Sequence, residues 1–175
     1  MSTPEIAAPA DLWNKVQSTR FVLLTTSAAD GSLSCRPMTI QRIEEPGTVL
    51  FFASVSSPLV QGLKVRPNVN IGVADPDDDF YVSIEGRAVI SNDRALIKEL
   101  WSPLVKAWFP GGVDDEDLVL IEVVGSHAQY WNVHEGEMTQ FFKMAKAAVT
   151  GSPPTDLGEH GTIELGRQAG AGIIR

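Results

Sequence analysis

Apolar and polar positions alternate along most of the chain, in short runs separated by turn-forming residues. Residues 21–26 (Phe-Val-Leu-Leu-Thr-Thr) are apolar and β-branched and stop at Ala29-Asp30-Gly31-Ser32. Asp-Gly between two such runs predicts a tight hairpin, because glycine accepts the positive φ that a strand-reversing turn demands. The return strand is expected over 33–43, and Glu44-Glu45-Pro46-Gly47 turns the chain into a strand over 48–53. Val69, Ile71 and Val73 alternate with small or polar residues, as a half-buried strand requires. Residues 80–90 read as a longer strand with Val82, Ile84, Gly86, Ala88 and Ile90 on one side, Gly86 marking a bend. A last long strand is expected over 118–131.

Helical spacing occupies the gaps. Asp11 caps a short helix over 12–18, with Leu12, Trp13 and Val16 on one face. Ser57 is a good N-cap and Pro58 suits the first helical position, where its missing N–H would have had no helical partner. That helix should end near Arg66-Pro67. Asn92-Asp93 caps a helix over 94–101, and Pro103 breaks it before a further turn carrying Val105, Trp108 and Phe109. A final helix over 138–149 would gather Phe141, Met144, Ala145 and Ala148 on one face and close at Gly151. About six strands, linked mostly by turns rather than by βαβ units, point to a mainly β, α+β fold. Its expected form is a six-stranded antiparallel barrel with peripheral helices.

Length and composition fit one soluble domain. The chain has 175 residues, 43% of them hydrophobic and 21% charged. The expected division is a disordered N-terminus over 1–10, a folded domain over 11–151, and an extended or partly disordered Gly- and Pro-rich arm over 152–175. Net charge of -8 argues against a nucleic-acid partner, since neutralising backbone phosphates needs a basic stripe, and against anionic membranes. One cysteine, Cys35, precludes an internal disulfide and a thiolate zinc site. The N-terminal segment lacks the pattern of a secretory signal, and no apolar run approaches the roughly 20 residues that span a bilayer. A cytoplasmic protein is expected. The acidic turn at Asp75-Pro76-Asp77-Asp78-Asp79 lacks the spacing of a calcium loop. His127 and His134 would face opposite sides of one regular strand, so they are no metal pair.

One constellation carries possible chemistry. Arg36 lies on the predicted return strand, and the strand over 48–53 runs into the serine-capped helix at Ser57. A helix start presents unbonded amides and a positive dipole end to an anion, and a guanidinium adds a planar charged fork. The residues admit two readings: a phosphate site on a β scaffold, or a surface arginine on a hairpin followed by an ordinary capped helix.

The ordered set of pieces resembles the pyridoxamine 5′-phosphate oxidase-like, FMN-binding split-barrel family, nearest its general stress protein 26 branch. The resemblance rests on Leu24-Thr25-Thr26 with Asp30-Gly31, Arg36-Pro37-Met38, Phe51-Phe52 with Ser56-Ser57, and Gly86-Arg87-Ala88. It rests further on Glu99-Leu100-Trp101, Trp108-Phe109-Pro110-Gly111-Gly112 and Tyr130-Trp131. It implies a homodimer with a flavin, FMN or FAD, in clefts at the subunit interface. It implies Arg36, Pro37, Met38 and Thr39 along the flavin, Phe52, Ala53 and Ser54 beside its ribityl chain, and Ser56 and Ser57 at its phosphate. Trp131 and Trp108 would come from the partner subunit to cover the ring. The family commonly has a lysine just inside the helix after the serines. Here Pro58-Leu59 stands there, and Lys64 and Arg66, further along the same helix, are the candidates to compensate in part. No arginine accompanies the histidines near the last strand, which disfavours pyridoxamine phosphate as substrate. No side chain is a convincing general acid or base, so a bound flavin would carry any redox chemistry. A non-catalytic protein that sequesters a flavin or another small-molecule ligand, and a cofactor-free scaffold, are the alternatives.

Overall fold

The computed structural model describes residues 9–19, 21–44, 47–77, 80–132 and 159–165. Their elements in chain order are α1 (Pro9–Ser18), β1 (Phe21–Ser27), β2 (Leu33–Thr39), β3 (Arg42–Glu44), β4 (Thr48–Ser54) and α2 (Pro58–Val65). β5 (Asn68–Asp75), β6 (Phe80–Ser91), α3 (Arg94–Leu100), α4 (Pro103–Lys106), β7 (Leu118–Asn132) and β8 (Glu159–Glu164) follow. The predicted helix over 138–149 and most of the predicted N-terminal segment lie outside the described residues.

All the ladders are antiparallel. The hydrogen-bonded path runs β2-β1-β5-β6-β7-β4-β3, with β8 added beside β7. Its two ends, β2 and β3, are consecutive in the chain and separated only by Ile40 and Gln41. The expected single strand over 33–43 is therefore two strands, the first laddered to β1 and the second to β4. Ile40, buried between them, anchors the change of partner. The sheet curls until its ends meet without a ladder between them: a split barrel. Among the described residues the strand count rises from the expected six to eight through this break and through β8, which extends part of the predicted arm along β7.

The hairpin at 28–32 forms for the reason read from the sequence. Gly31 adopts φ 82°, and the Asp30 carboxylate accepts from both the Ser32 amide (2.9 Å) and the Ser32 hydroxyl (2.7 Å). These bonds hold the Asp30 carboxyl below its ordinary value.

Inside the barrel Val22, Leu24, Val49, Phe51, Ile71, Ile84, Ile121 and Val123 are almost fully buried. Leu12 and Val16 of α1 and Leu59, Val60 and Leu63 of α2 join this main core. A smaller cluster lies on the other face of β4 and β7, where Leu118 and Leu120 meet Ile97 of α3, flanked by Phe52, Leu96, Leu100 and Trp101. Arg42 ties α3 to β3 through a 2.8 Å bond to Glu99. The predicted bend at Gly86 is a β-bulge between Glu85 and Gly86. An added Cβ at Gly86 would lie 2.6 Å from the Val124 carbonyl oxygen; only glycine allows that approach.

Candidate functional site

The split in the barrel creates two unladdered strand edges. Among the described residues β2 is laddered to β1 alone. On β4, β3 covers only residues 48–50, and the Gln41 amide donates to the Leu50 carbonyl at 2.9 Å. Beyond Leu50 the β3 side of β4 carries no ladder among the described residues. Because β2 continues into β3, these edges lie on the same side of the split, and β2 and β4 have Cα atoms within 8 Å of each other. These two strands, β2 and β4, carry the segments 36–39 and 51–54 that the family resemblance assigns to a ligand. Unpaired backbone amides and carbonyls here can hydrogen-bond an extended polar chain.

Side chains 36–39 alternate across β2. Arg36 pairs with Leu24 and Met38 with Val22, both core residues, so Arg36 and Met38 lie on the inner face. Met38 packs against the main core. Pro37 and Thr39 are on the outer face and exposed. A ligand along the free edge of β2 would therefore meet side chains from both faces. Arg36 is half-buried, and its Nε is buried without a hydrogen-bond partner. Its Nη2 reaches the Ser34 Oγ only at 3.5 Å, the outer limit of a hydrogen bond. A charged donor with unused capacity fits an incoming anion, because leaving such a group unsatisfied is unfavourable.

At the end of β4 the serines form a corner closed by Asp117. The Ser56 amide donates to Asp117 Oδ1 at 2.9 Å, and the Val55 amide donates to the Asp117 carbonyl at 2.7 Å. Ser54 Oγ and Ser56 Oγ are 3.0 Å apart. Hydrogen bonding from the Ser54 hydroxyl, then from the Ser56 amide, holds the Asp117 carboxyl below its ordinary value. The Ser57 hydroxyl donates to the Ser54 carbonyl (2.7 Å) and accepts from the Val60 amide (3.2 Å), the N-cap bond expected from sequence. The donors that the resemblance directs at a phosphate are thus largely committed within the chain.

The other sequence-derived candidates are dispersed. Phe52 meets Trp101 edge to face, with ring centroids 6.5 Å apart, and Ala53 is buried in the main core. Leu59, at the position where the resemblance implies a basic residue, is buried in the core. Lys64 is exposed in the last turn of α2, about two turns, or roughly 10 Å, from Ser57, so it does not join the serine corner. Trp108 is 82% exposed beyond α4. Trp131 is also exposed and lies between Tyr81 and His160 in the ladders. Leu118 pairs with Ser54, and from Leu118 to Trp131 the chain runs roughly 40 Å if extended. Within one copy, Trp131 is remote from the serine corner.

Sequence reading overlooked two features. Asp117 belongs to the acidic run 114–117 before the last strand, to which the sequence assigns no role, and only the β4–β7 register brings it to the serines. The second is a groove of about 850 Å³ on the outer face, lined by Thr25, Asn70, Glu85, Arg87, Val89 and Val124 among others. None of the sequence-derived site residues lines it. Leu23 and Leu33, on the same outer face, are exposed, as are Val89 and Val124. The alternation of Val69, Ile71 and Val73 foretold a half-buried strand but not the concavity of its outward face.

Comparison with known proteins gives consistent matches. Residues 8–155 match the family described as pyridoxamine 5′-phosphate oxidase like. Protein bli-3 of Neurospora crassa is 28% identical over 155 residues, covering 83% of this chain and 74% of that protein. General stress protein 26 of Bacillus subtilis is 33% identical over 73 residues, 40% of this chain and 51% of that protein. The crystal structure of a general stress FMN/FAD binding protein from Xanthomonas citri superposes with a TM-score of 0.64 at 31% identity, covering 73% of this chain and 90% of that one.

Proposed function

Because the chain belongs to the pyridoxamine 5′-phosphate oxidase-like family and is homologous to general stress protein 26, we propose that it binds a flavin, FMN or FAD, along the split between β2 and β4. The observation that carries this reading is the buried, unpartnered Nε of Arg36 on β2, one of the two strands that approach at the split. The match to a protein described as FMN/FAD binding supports it. Arg36 would hold the anionic phosphate, the edge amides and carbonyls would hold the polar chain, and Met38 would offer an apolar contact to the ring. When bound, the flavin would supply hydride transfer to or from a small molecule, since the described site offers no evident acid or base of its own.

In this reading two copies pair through the outer face, where Leu23, Leu33, Val89 and Val124 are exposed around the groove. Covering such apolar surface favours association. Pairing would also let Trp131 of one copy approach the flavin of the other, which the length of β7 denies it within one chain.

The test is to purify the protein and titrate it with FMN and FAD, following flavin fluorescence and thermal stability. Binding must raise the melting temperature, because a ligand selective for the native state stabilises it. Bleaching of the bound flavin by NADH or NADPH supports an oxidoreductase. A flavin that neither donor reduces supports sequestration instead. No binding and no thermal shift would refute the flavin reading.

A further inference from the structure

Asp117 places a carboxylate at the point of the serine corner where the resemblance puts a phosphate. Its Oδ1 takes the Ser56 amide at 2.9 Å. The same residue takes the Val55 amide on its carbonyl at 2.7 Å, so both backbone and side chain fasten the loop after β4 to the start of β7. Asp117 is itself fixed from behind, its amide donating to Asp115 Oδ1 at 2.9 Å. The serine hydroxyls are already engaged, Ser54 with Ser56 at 3.0 Å and Ser57 within the N-cap. A second anion entering this corner would have to displace a carboxylate from its donors or sit against it. Basic groups that would offset the repulsion are absent from the start of α2, where Pro58-Leu59 stands and Leu59 is buried.

We propose that Asp117 is a specificity-determining residue: it fills the anion position of the serine corner, so that the corner admits hydroxyl groups, such as those of a ribityl chain, and turns a phosphate away toward Arg36. A carboxylate and two serine oxygens are acceptors, and a hydroxyl-rich chain supplies donors to match. A phosphate dianion at the same place supplies acceptors only and meets like charge. The assignment rests on the flavin reading for the identity of the ligand, but the exclusion of phosphate stands on the geometry of Asp117.

Three probes on the full chain test it: inorganic phosphate, riboflavin and FMN, with thermal stability and flavin fluorescence as readouts. In an Arg36→Met background, which removes the anion site on β2, the protein should gain no stability from phosphate beyond that given by chloride at equal ionic strength. Asp117→Asn, which retains an acceptor for the Ser56 amide, should gain stability from phosphate in that same background, and with Arg36 in place should shift the FMN-to-riboflavin affinity ratio upward by roughly tenfold. In Ser54→Ala the two flavins should weaken together with their ratio unchanged. The proposal is overturned by a wild-type preference for FMN that Ser54→Ala abolishes, because the phosphate would then lie among the serines. It is equally overturned if Asp117→Asn in the Arg36→Met background, folded by circular dichroism, shows no phosphate response. Should Asp117→Asn fail to fold, the Ser54→Ala ratio decides alone. If neither flavin binds the wild type, the flavin reading fails, while the phosphate arm still judges the exclusion.

Discussion

Replacing Arg36 by methionine should separate binding from stability. In the protein alone, the Arg36 guanidinium contributes little to folding: its Nε is buried with no partner, and its contact to Ser34 is a 3.5 Å approach. Methionine keeps a flexible apolar stem of similar length and leaves no donor unsatisfied. The expected change is therefore a gain in stability of about 1 kcal/mol, or a melting rise of roughly 2–4 °C in a domain of this size. A bound phosphate would take a charge-assisted hydrogen bond from this group. Losing one costs about 1.5–3 kcal/mol, roughly ten- to a hundredfold in affinity. Titration of FMN fluorescence, with differential scanning fluorimetry on the same samples, measures both. Lys64→Ala is the matched comparison, since it removes a positive charge from an exposed position away from the serine corner. Equal losses in the two variants would remove Arg36 from the site, and a large melting decrease with unaltered affinity would make it a structural residue only.

Further consequences concern the scaffold and its assembly. Gly86→Ala forces a Cβ to within 2.6 Å of the Val124 carbonyl oxygen, so calorimetry should record a destabilisation of about 1–3 kcal/mol; an unchanged melting temperature would mean the bulge relaxes freely. Leu23→Lys, at an outward and exposed position, should leave a single copy folded but shift the mass measured by light scattering from dimer toward monomer. An unaltered dimer would place the pairing surface elsewhere. The Asp117 carboxyl is held below its ordinary value of 3.8 by the Ser54 and Ser56 bonds. The stability it contributes is therefore fully present above about pH 4 and is lost as the pH falls through its lower folded value. Asp117→Asn should flatten the acid limb of a stability-versus-pH curve there, whereas an identical limb would show that its bonds do not persist in solution.

Local chemistry made much of this fold legible. The Asp30-Gly31 turn, the Ser57 cap and the alternation of β5 are each decided by residues within a few positions of one another, and each stands where the pattern put it. The break at Ile40-Gln41 was not legible, because both halves of the return strand have strand-like residues. What divides them is a change of partner from β1 to β4, a long-range event. β8 was hidden for a similar reason: a Gly- and Pro-rich arm has weak intrinsic preference, and pairing with the far half of β7 decides its form. At the site, the sequence singled out Arg36, and the structure adds that its Nε lacks a partner. The sequence also singled out the serines, but their partner Asp117 lies some sixty residues later in the chain, within an acidic run whose most ordinary fate is solvation. Ala53 and Phe52 show the converse limit: strand alternation sends one into the barrel core and the other under α3, so neither side chain lines an open cleft.

The most direct test of the central claim is a crystal structure of the protein grown with FMN. The account predicts flavin density along the split between β2 and β4, with the phosphate within hydrogen-bonding distance of Arg36. A flavin seated wholly in the outer groove beside Asn70 and Glu85, with Arg36 still unpartnered, would contradict it.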